Sequence, residues 1–379
     1  MKKVLFISTF NSQEIECDGV FKKIWLQINT FKDFGFDVDY IEIRSDKVLL
    51  VSEDEAKVIC ERKKTYHNTY VSLFRALKNQ KTINYDLIYY RYEHISFSMI
   101  SYFKFFQLMK KESIVVGELP TYMKSFYKNS TLKNKISFLI KRFLDNYLPK
   151  YIDYLVTFSE HTKLFRVPTI QIENFVDVDS LKVKKCGVDR IYELHLLALA
   201  NITPAHGFDR VIEGLRLYYK EGKDSKIKVF LHIVGDGGKV KNDLEELVSE
   251  YHLKEFVIFH GKLGGSKLDN IFDLCNIGIS SLAIFRKGSK KLSELKIREY
   301  TARCLPFIYN AEEPILKEQD FCLRVPFDES PISISSIIEF NEKIKKDANL
   351  SQVMRDFAEE HFTSKSQLQK VLDVCLKSK

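Results

Sequence analysis

The chain has 379 residues, of which 45% are hydrophobic and 29% charged, a composition typical of a globular protein with about two domains. No apolar run reaches the roughly 18 residues that a membrane-spanning helix needs, and the seven scattered cysteines form no CxxC pair that would indicate a zinc site. The net charge of +8 favours acidic partners such as phosphates, nucleotides or an anionic membrane surface.

Short apolar segments alternate with helical patterns along the first half of the chain. The segments KVLFIST, DVDYIEI, DLIYYRY, SIVVGEL and YLVTFSE are typical of strands, and VFKKIWLQINTFKDFG has apolar residues at helical spacing. This alternation predicts a parallel sheet covered on both faces, which we assign to a first Rossmann-like domain, residues 1–175. The apolar start of the chain is too short for a signal peptide, so we interpret it as a buried strand of a cytoplasmic protein.

The alternation stops in the polar segment 176–190, which we predict to be a linker, and then resumes. The later strand-like segments are LHLLALAN, KVFLHIVG, FVIFHG, IGISSL, LPFIYN and FCLRVP. They predict a second Rossmann-like domain, residues 191–360, and the helical pattern of residues 361–379 predicts a C-terminal helix that packs back across a cleft between the domains. In such a fold, ligands are expected at the carboxyl ends of the strands.

Three predicted strand-to-helix junctions carry candidate binding residues. Asn201, His206 and Gly207 follow a strand in NITPAHGFDRVIEGL, and Gly19 lies at the first junction of the chain. Glycines also follow a strand in HIVGDGG, where backbone amides can approach a phosphate. In each case a plain tight turn, or an exposed histidine, is the alternative to contact with a ligand.

The segment SELKIREYTARCLPFI places Lys296, Glu299 and Arg303 on one helical face. These charges could form only weak pairs on the surface. However, the basic segment KGSKKLS precedes them and contains Gly288, and cations at a helix N-terminus form an anion site. A carboxylate one turn further on could accept hydrogen bonds from two sugar hydroxyls, so the segment favours a nucleotide-sugar site.

Residues 121–150 combine lysines with aromatic and aliphatic residues. Such a segment could rest on an anionic bilayer, or it could be an ordinary helix with a solvated basic face. No nucleic-acid-binding motif is present, so no nucleic-acid partner is predicted. The triplets DVD at 37–39 and 177–179 resemble a metal-binding DxD motif, but one leads into a strand and the other lies in the linker, so no metal site is predicted.

Several of these segments, in this order, resemble the retaining family-4 glycosyltransferases of the GT-B fold over essentially the whole chain. EYTARCLPFI resembles the family's Glu-Ala-Met-Ala-x-Gly-Leu-Pro-Val-Ile segment, with Glu299 on its ribose-binding glutamate, and HGFDRVIEGL with LKIREY is similar to a bacterial surface-polysaccharide branch. The chain departs from the family at Asn201 and His206, where Arg and Lys are usual, and at Lys291, where a glutamate is usual. Lys296 and His206 are candidates to replace the usual diphosphate clamp.

The resemblance implies metal-independent transfer of a sugar, with retention and without a cofactor, from a nucleotide diphosphate donor to a surface-glycan acceptor that is lipid-linked. The basic segment 121–150 extends this interpretation to a cytoplasmic protein that is peripheral on the inner face of the cytoplasmic membrane. The predicted substrate-binding residues are Glu299, Lys296, Ser293, Leu295, Asn201, His206, Gly207 and Gly19. Glu118, at the end of a strand in GELPTY, is the candidate for acceptor contact, with a structural carboxylate paired to a nearby base as the alternative.

Three other functions are consistent with parts of the sequence. A catalytically silent scaffold subunit of a polysaccharide assembly complex would explain the lost Arg, Lys and Glu. A sugar-nucleotide epimerase would share the fold but needs acid and base residues in the cleft. A nicotinamide dehydrogenase would need GxGxxG with an acidic residue about 20 positions later, and that pattern is absent.

Overall fold

A computed structural model describes residues 2–8, 10–14, 19–53, 55–64, 66–79, 84–91, 105–110, 112–119, 148–159, 161–185, 190–221, 226–291 and 293–377. The chain divides into two compact units. Unit 1 comprises Met1–Phe175 and Ser364–Lys379, and unit 2 comprises Val176–Thr363. Most of the basic segment 121–150 lies outside the described residues.

Unit 1 is built on a sheet of nine strands. The strands are β1 (Lys3–Ile7), β2 (Asp37–Arg44), β3 (Lys47–Ser52), β4 (Glu55–Glu61), β5 (Leu87–Arg91), β6 (Ile114–Leu119), β7 (Tyr154–Thr157), β8 (Lys163–Leu164) and β9 (Val167–Gln171). Their order is β4-β3-β2-β1-β5-β6-β7-β9-β8, and the five strands predicted from the sequence form its parallel part together with β9.

The antiparallel strands β3 and β4 were not predicted from the sequence. Strand β3 follows β2 after a two-residue turn at Ser45 and Asp46, and Ser45 adopts a positive φ of 51° without being glycine. The usual sequence signal of such a tight hairpin is Asn-Gly or Asp-Gly, which this turn lacks. The hairpin that extends the sheet edge therefore has no recognisable signal in its turn residues.

The helices that cover the sheet of unit 1 include α1 (Gly19–Asp33), α2 (Tyr66–Asn79) and the C-terminal α9 (Ser364–Lys377). Ile24 and Ile28 of α1 and Leu368 of α9 are fully buried in one core with Phe6 and Tyr89 of the sheet. Helix α2 belongs to the core on the other face. The C-terminal helix therefore returns to unit 1, where its apolar side completes a core.

Unit 2 has a parallel sheet of six strands, all of them predicted from the sequence. They are β10 (Glu193–Leu199), β11 (Lys228–Val234), β12 (Val257–Gly261), β13 (Ile277–Ile279), β14 (Phe307–Tyr309) and β15 (Cys322–Arg324), in the order β12-β11-β10-β13-β14-β15. The chain proceeds outward from β10 to β12 on one side and from β13 to β15 on the other. The order reverses between β10 and β13, and such a switch point is where ligands bind in open α/β sheets.

Helices flank both faces of the second sheet. They are α3 (Phe208–Glu221), α4 (Lys239–Glu250), α5 (Gly265–Leu274), α6 (Leu295–Ala302), α7 (Ile334–Ile344) and α8 (Leu350–His361). Val178 is buried in the same core as α6, and the backbone amide of Lys184 donates to the carbonyl of Arg303. The described part of segment 176–190 thus packs along unit 2.

Among the described residues, no helix is both long enough and apolar enough to cross a membrane.

Candidate functional site

Two loops meet at the switch point of unit 2. Residues 201–207 follow β10, and residues 280–283 follow β13. The amide of Leu282 donates to the carbonyl of His206 at 2.9 Å, and the amide of Ala283 donates to the carbonyl of Ala205 at 3.1 Å. The predicted binding residues of the first loop therefore lie at the carboxyl edge of the sheet, joined by their backbone to the neighbouring loop.

Gly207 is required for this close approach. Its φ is 64°, in the left-handed region, and a Cβ atom there would lie 3.0 Å from the Cβ of Ala283 and 3.1 Å from the backbone of Leu282. A larger residue would push the two loops apart. Gly207 thus shapes the site through its backbone, while Asn201 is exposed on the same loop.

His206 is held as a neutral imidazole. Its Nδ1 accepts a hydrogen bond from the backbone amide of Thr203 at 2.9 Å, and its ring stacks on Phe208 with centroids 5.5 Å apart. Burial, together with the charges of Lys296 and Lys287, lowers the pKa of His206 to about 3. Because Nδ1 is the acceptor, the proton is on Nε2, which can donate a hydrogen bond to a ligand.

Helix α6 begins later than the sequence predicted. Lys287 ends a short 3₁₀ turn, Ile284–Lys287, that closes at Gly288 with a φ of 68°, and α6 starts only at Leu295 after its N-cap Glu294. The lysines of KGSKKLS therefore lie in the loop before the helix and not in its first turn. The left-handed Gly288 ends the first turn and separates it from the helix.

Lys296 and Glu294 form the polar centre of the site. The Nζ atom of Lys296 is buried and has no hydrogen-bond partner among the described residues, and it lies 5.6 Å from the ring centroid of Phe208. Burial and the charge of Lys287 lower the pKa of Lys296, while Glu294 acts in the opposite direction. Glu294 accepts from the amide of Ser281 at 3.0 Å through Oε2, while its buried Oε1 has no partner among the same residues.

A buried ammonium without a hydrogen-bond partner is costly, because the charge of Glu294 and the ring of Phe208 only partly replace the hydration that it has lost. An anionic group that reached Lys296 would remove this cost and accept its protons. The neutral His206 adds a hydrogen-bond donor near Lys296, because its ring and Nζ of Lys296 both contact the ring of Phe208. The arrangement suits an anion that carries further hydrogen-bond acceptors, as a diphosphate does.

Glu299 and Arg303 do not form the weak surface pair that the sequence suggested. Glu299 Oε1 lies 2.9 Å from Nε of Arg303, and Nη1 of Arg303 lies 2.8 Å from Asp269. The side chain of Arg303 is only 8% exposed and its guanidinium lies 4.4 Å from the centroid of Phe272. The interpretation of Arg303 as a surface partner is therefore wrong, since it packs Glu299 against α5.

The remaining predicted residues of the segment lie around the start of α6. Ser293 is half-buried, and Leu295 is 46% exposed as the first residue of the helix. The side chain of Glu299 is partly accessible and one of its oxygens is bound by Arg303. Contact of these three residues with a substrate stays a prediction.

Sequence reasoning missed two buried polar residues of the site. One is Glu294, and the other is Asn310, which follows β14 and donates from Nδ2 to the carbonyl of Leu282. The Oδ1 atom of Asn310 is buried without a partner among the described residues. Both are polar residues at the end of a strand or the start of a helix, a signal that could have indicated them.

In unit 1, Gly19 opens α1, and Glu118 lies near the carboxyl end of β6. Glu118 is fully buried and accepts hydrogen bonds from Gln27 at 2.6 Å and from the hydroxyl of Tyr89 at 2.7 Å, with Arg91 4.0 Å away. Burial alone would raise the pKa of Glu118, but the charge of Arg91 and these hydrogen bonds outweigh it and lower the pKa. The arrangement is the structural alternative described above, and acceptor contact stays a prediction.

The described residues contain no group of three or more His, Cys, Asp or Glu side chains that could hold a metal ion. Asp39 of the first DVD triplet is instead paired with Lys3 and accepts from the hydroxyl of Tyr85.

The comparisons with known proteins rest on structure. No protein-family model and no curated protein matches the sequence. Sucrose-phosphate synthase from Thermosynechococcus elongatus matches with a TM-score of 0.64 at 14% identity over 100% of both chains. Anabaena HepE in complex with UDP and glucose matches with a TM-score of 0.59 at 14% identity, also over 100% of both chains. The chain has the GT-B fold. The lipopolysaccharide outer core galactosyltransferase WaaB also matches, with a TM-score of 0.60 at 14% identity over 99% of both chains.

At such low identity, the similarity establishes the fold, and the predicted fold class is confirmed by it. In this GT-B chain, the switch-point site built on loop 201–207 and α6 lies in the second Rossmann-like unit. Activity and substrates have to be argued from the residues themselves.

Proposed function

We propose that this protein is a glycosyltransferase that takes a sugar from a nucleotide diphosphate donor bound at the switch point of unit 2. The observation that carries the proposal is the buried Nζ of Lys296 at that point, which has no hydrogen-bond partner in the part of the chain that the structure describes. In the proposed complex Lys296 binds the diphosphate, and Nε2 of His206 donates a further hydrogen bond to it. Glu299 accepts from the ribose hydroxyls, with its orientation held by Arg303.

The proposed chemistry depends on the leaving group. As the bond from sugar to phosphate breaks, negative charge develops on the departing diphosphate, and a fixed cation in a water-poor site stabilises that charge more than it stabilises the ground state. Lys296 needs no rearrangement to serve this role, because its ammonium is already desolvated. We assign no enzymic nucleophile, and we propose retention of configuration and independence of metal ions from the resemblance to family-4 enzymes.

For the acceptor we propose a lipid-linked surface glycan that binds on the side of unit 1. Glu118 with its partners Gln27 and Tyr89 is the candidate polar cluster there. The basic segment 121–150 would hold the protein at the inner face of the cytoplasmic membrane. Salt-sensitive flotation of the protein with anionic vesicles would support this part of the proposal.

A thermal-shift screen of nucleotide sugars tests the donor, because a bound ligand raises stability by mass action. UDP and UDP-glucose are the first probes, since the fold relative HepE was solved with UDP and with UDP-glucose. We expect at least one nucleotide sugar to raise the melting temperature of the wild type, with a smaller shift in Lys296→Met. Transfer activity with that donor should persist in EDTA, and its loss would contradict metal independence.

A catalytically silent scaffold subunit is the second candidate. It is favoured by Asn201 and Lys291, which stand where related glycosyltransferases usually have a basic and an acidic residue. If no nucleotide, free or sugar-linked, shifts the melting temperature, the glycosyltransferase proposal fails and the scaffold role is preferred.

A further inference from the structure

Three histidines form a hydrogen-bonded row across neighbouring strands of unit 2. His195 lies on β10, His232 on β11 and His260 on β12. Nδ1 of His195 is 2.9 Å from Nε2 of His232, and Nδ1 of His232 is 2.9 Å from Nε2 of His260. Neighbouring rings are stacked at centroid distances of 5.2 Å. The proposed donor site uses none of these side chains.

One end of the row meets both a donor and an acceptor. Nε2 of His195 lies 3.2 Å from a carboxylate oxygen of Glu193 and 3.3 Å from Nη1 of Arg190. His195 and His232 are buried, whereas Glu193, the first residue of β10, is half-buried and Arg190, which precedes the strand, is exposed. Nε2 of His195 therefore has a hydrogen-bond partner whether or not it carries a proton: protonated, it donates to Glu193, and unprotonated, it accepts from Arg190.

Counting protons limits what the row can hold. A neutral imidazole carries one N–H, so three neutral rings have three protons, of which two occupy the two contacts between rings. The third occupies one outer nitrogen, either Nε2 of His195 or Nδ1 of His260. One additional proton fills both outer nitrogens without breaking a hydrogen bond. A second would place two N–H groups face to face across 2.9 Å.

We propose that His195, His232 and His260 form a single proton-binding site, which takes up one proton as a unit and excludes a second while unit 2 is folded. The added charge is shared along the row and has Glu193 as its counter-charge. Coupled groups of this kind titrate in macroscopic steps that belong to the whole set.

The surroundings of the row agree with this assignment. Burial lowers the pKa of each of the three imidazoles, Arg190 lowers that of His195 further, and Glu193 opposes the shift. Phe230 stacks on His195 with centroids 4.9 Å apart, so one face of this ring meets an apolar neighbour.

Helix α5 packs against the same sheet, and its acidic residues are engaged elsewhere. Asp269 is bound by Arg303, and Asp273 accepts from the backbone amide of Lys185. Because β10 carries loop 201–207 and β11 leads into the glycine loop at Gly235, proton uptake places a charge in the strands beneath both loops.

Nuclear magnetic resonance of the full chain labelled with ¹⁵N-histidine tests the proposal. Long-range ¹H–¹⁵N spectra report the tautomer and charge of each ring, and single His→Gln variants assign the signals. Between about pH 8 and pH 4, we expect the charge summed over the three rings to rise by one proton. In His232→Gln the two remaining rings are uncoupled, so their summed charge should rise by two, although one histidine has been removed.

The exposed His252 of the same unit provides the control, because His252→Gln should leave the row unchanged. If His232→Gln does not fold, His260→Gln keeps a row of two rings and should still take up one proton. If the histidines titrated independently, three protons would bind to the row in the wild type and two in His260→Gln. That result, or a wild-type row that takes up no proton before unfolding, would overturn the proposal.

Discussion

Two cationic side chains of the short helix α6, Arg298 and Lys296, are buried in opposite environments. Arg298 is fully buried and pairs with the equally buried Glu313 at 3.1 Å, and it also lies 4.7 Å from the ring centroid of Phe362. Lys296, two residues earlier, has a buried ammonium with no hydrogen-bond partner among the described residues. A structural cation receives its counter-charge from the protein, so an unpaired one at a switch point indicates a counter-charge supplied by a ligand.

This contrast predicts opposite effects of Lys296→Met on stability and on binding. The substitution keeps the apolar stem and removes a buried charge whose burial outweighs its attraction to Glu294, so the ligand-free protein should become more stable by up to about 1 kcal/mol. Affinity for a nucleoside diphosphate should fall by about tenfold to a hundredfold, the loss expected for a charge-assisted hydrogen bond. Affinity for the nucleoside should change little. Thermal unfolding and titration calorimetry measure these quantities.

Two variants calibrate this test. Lys290→Met removes the same charge from an exposed position in the preceding loop and should leave stability and affinity nearly unchanged. Glu299→Ala should weaken binding of the nucleoside and of the nucleoside diphosphate alike, since its proposed partner is the ribose. Equal losses of the two ligands in Lys296→Met would refute the phosphate contact.

At the scale of elements, the sequence predicted every strand of the second sheet but not the start of α6. Hydrophobic runs identify buried strands directly, because both faces of a parallel sheet are covered. The helix start depends on two residues: Gly288, whose left-handed φ ends the preceding turn, and Glu294, the N-cap after which α6 begins. Likewise, the hairpin of β2 and β3 depends on Ser45, whose positive φ has no sequence signal.

The glycine loop after β11 gives a prediction at this scale. Gly235 has a φ of 131°, and a Cβ atom there would lie 1.7 Å from the carbonyl oxygen of Ala200. Ala200 connects β10 to loop 201–207 of the candidate site. Gly235→Ala therefore combines backbone strain with a clash, and we expect it to destabilise the protein by more than about 3 kcal/mol. At Gly238 a Cβ atom would meet open space, but φ 52° and ψ −123° form a backbone conformation that L-residues rarely adopt, so Gly238→Ala carries backbone strain without a clash and should cost about 1–3 kcal/mol. Urea unfolding of both variants measures the difference, and similar losses would show that the clash relaxes.

At the scale of the whole molecule, the fold class and the position of the site were predictable, while the partners within the site were not. Loop 201–207 and α6 each carry a recognisable local pattern, and the parallel sheet brings them to one edge. The bond from Ser281 to Glu294 and the bond from Asn310 to Leu282 depend on how β13 and β14 are placed beside each other. Hydrophobic periodicity specifies that strands pair but not which polar atoms then meet.

Unit 2 should be more sensitive to mild acid than unit 1. Among the described histidines, the four whose pKa is lowered by burial all belong to unit 2: His195, His206, His232 and His260. Below about pH 6.5 the four imidazoles together bind more protons in the unfolded chain than in the folded one, so stability is lost as the pH falls from 6.5 towards about 4 for His232 and about 3 for His206. The charge of Arg91 and the hydrogen bonds to Glu118 lower its pKa below the usual range, so Glu118 stays ionised at pH 5.5 and its contribution in unit 1 is retained there.

The single tryptophan, Trp25, separates the two units in this experiment, because it lies on α1 of unit 1 and stacks on Phe10. Urea unfolding at pH 7.5 and pH 5.5, without nucleotide, should show a far-UV circular dichroism transition that moves to lower urea, while the tryptophan fluorescence transition moves less. At pH 5.5 each neutral buried histidine accounts for about 1.4 kcal/mol of the loss. His206→Asn keeps an acceptor for the amide of Thr203 but cannot titrate, so it should recover about that amount. Parallel shifts of both signals in the wild type and no recovery in His206→Asn would place the acid-sensitive groups outside unit 2.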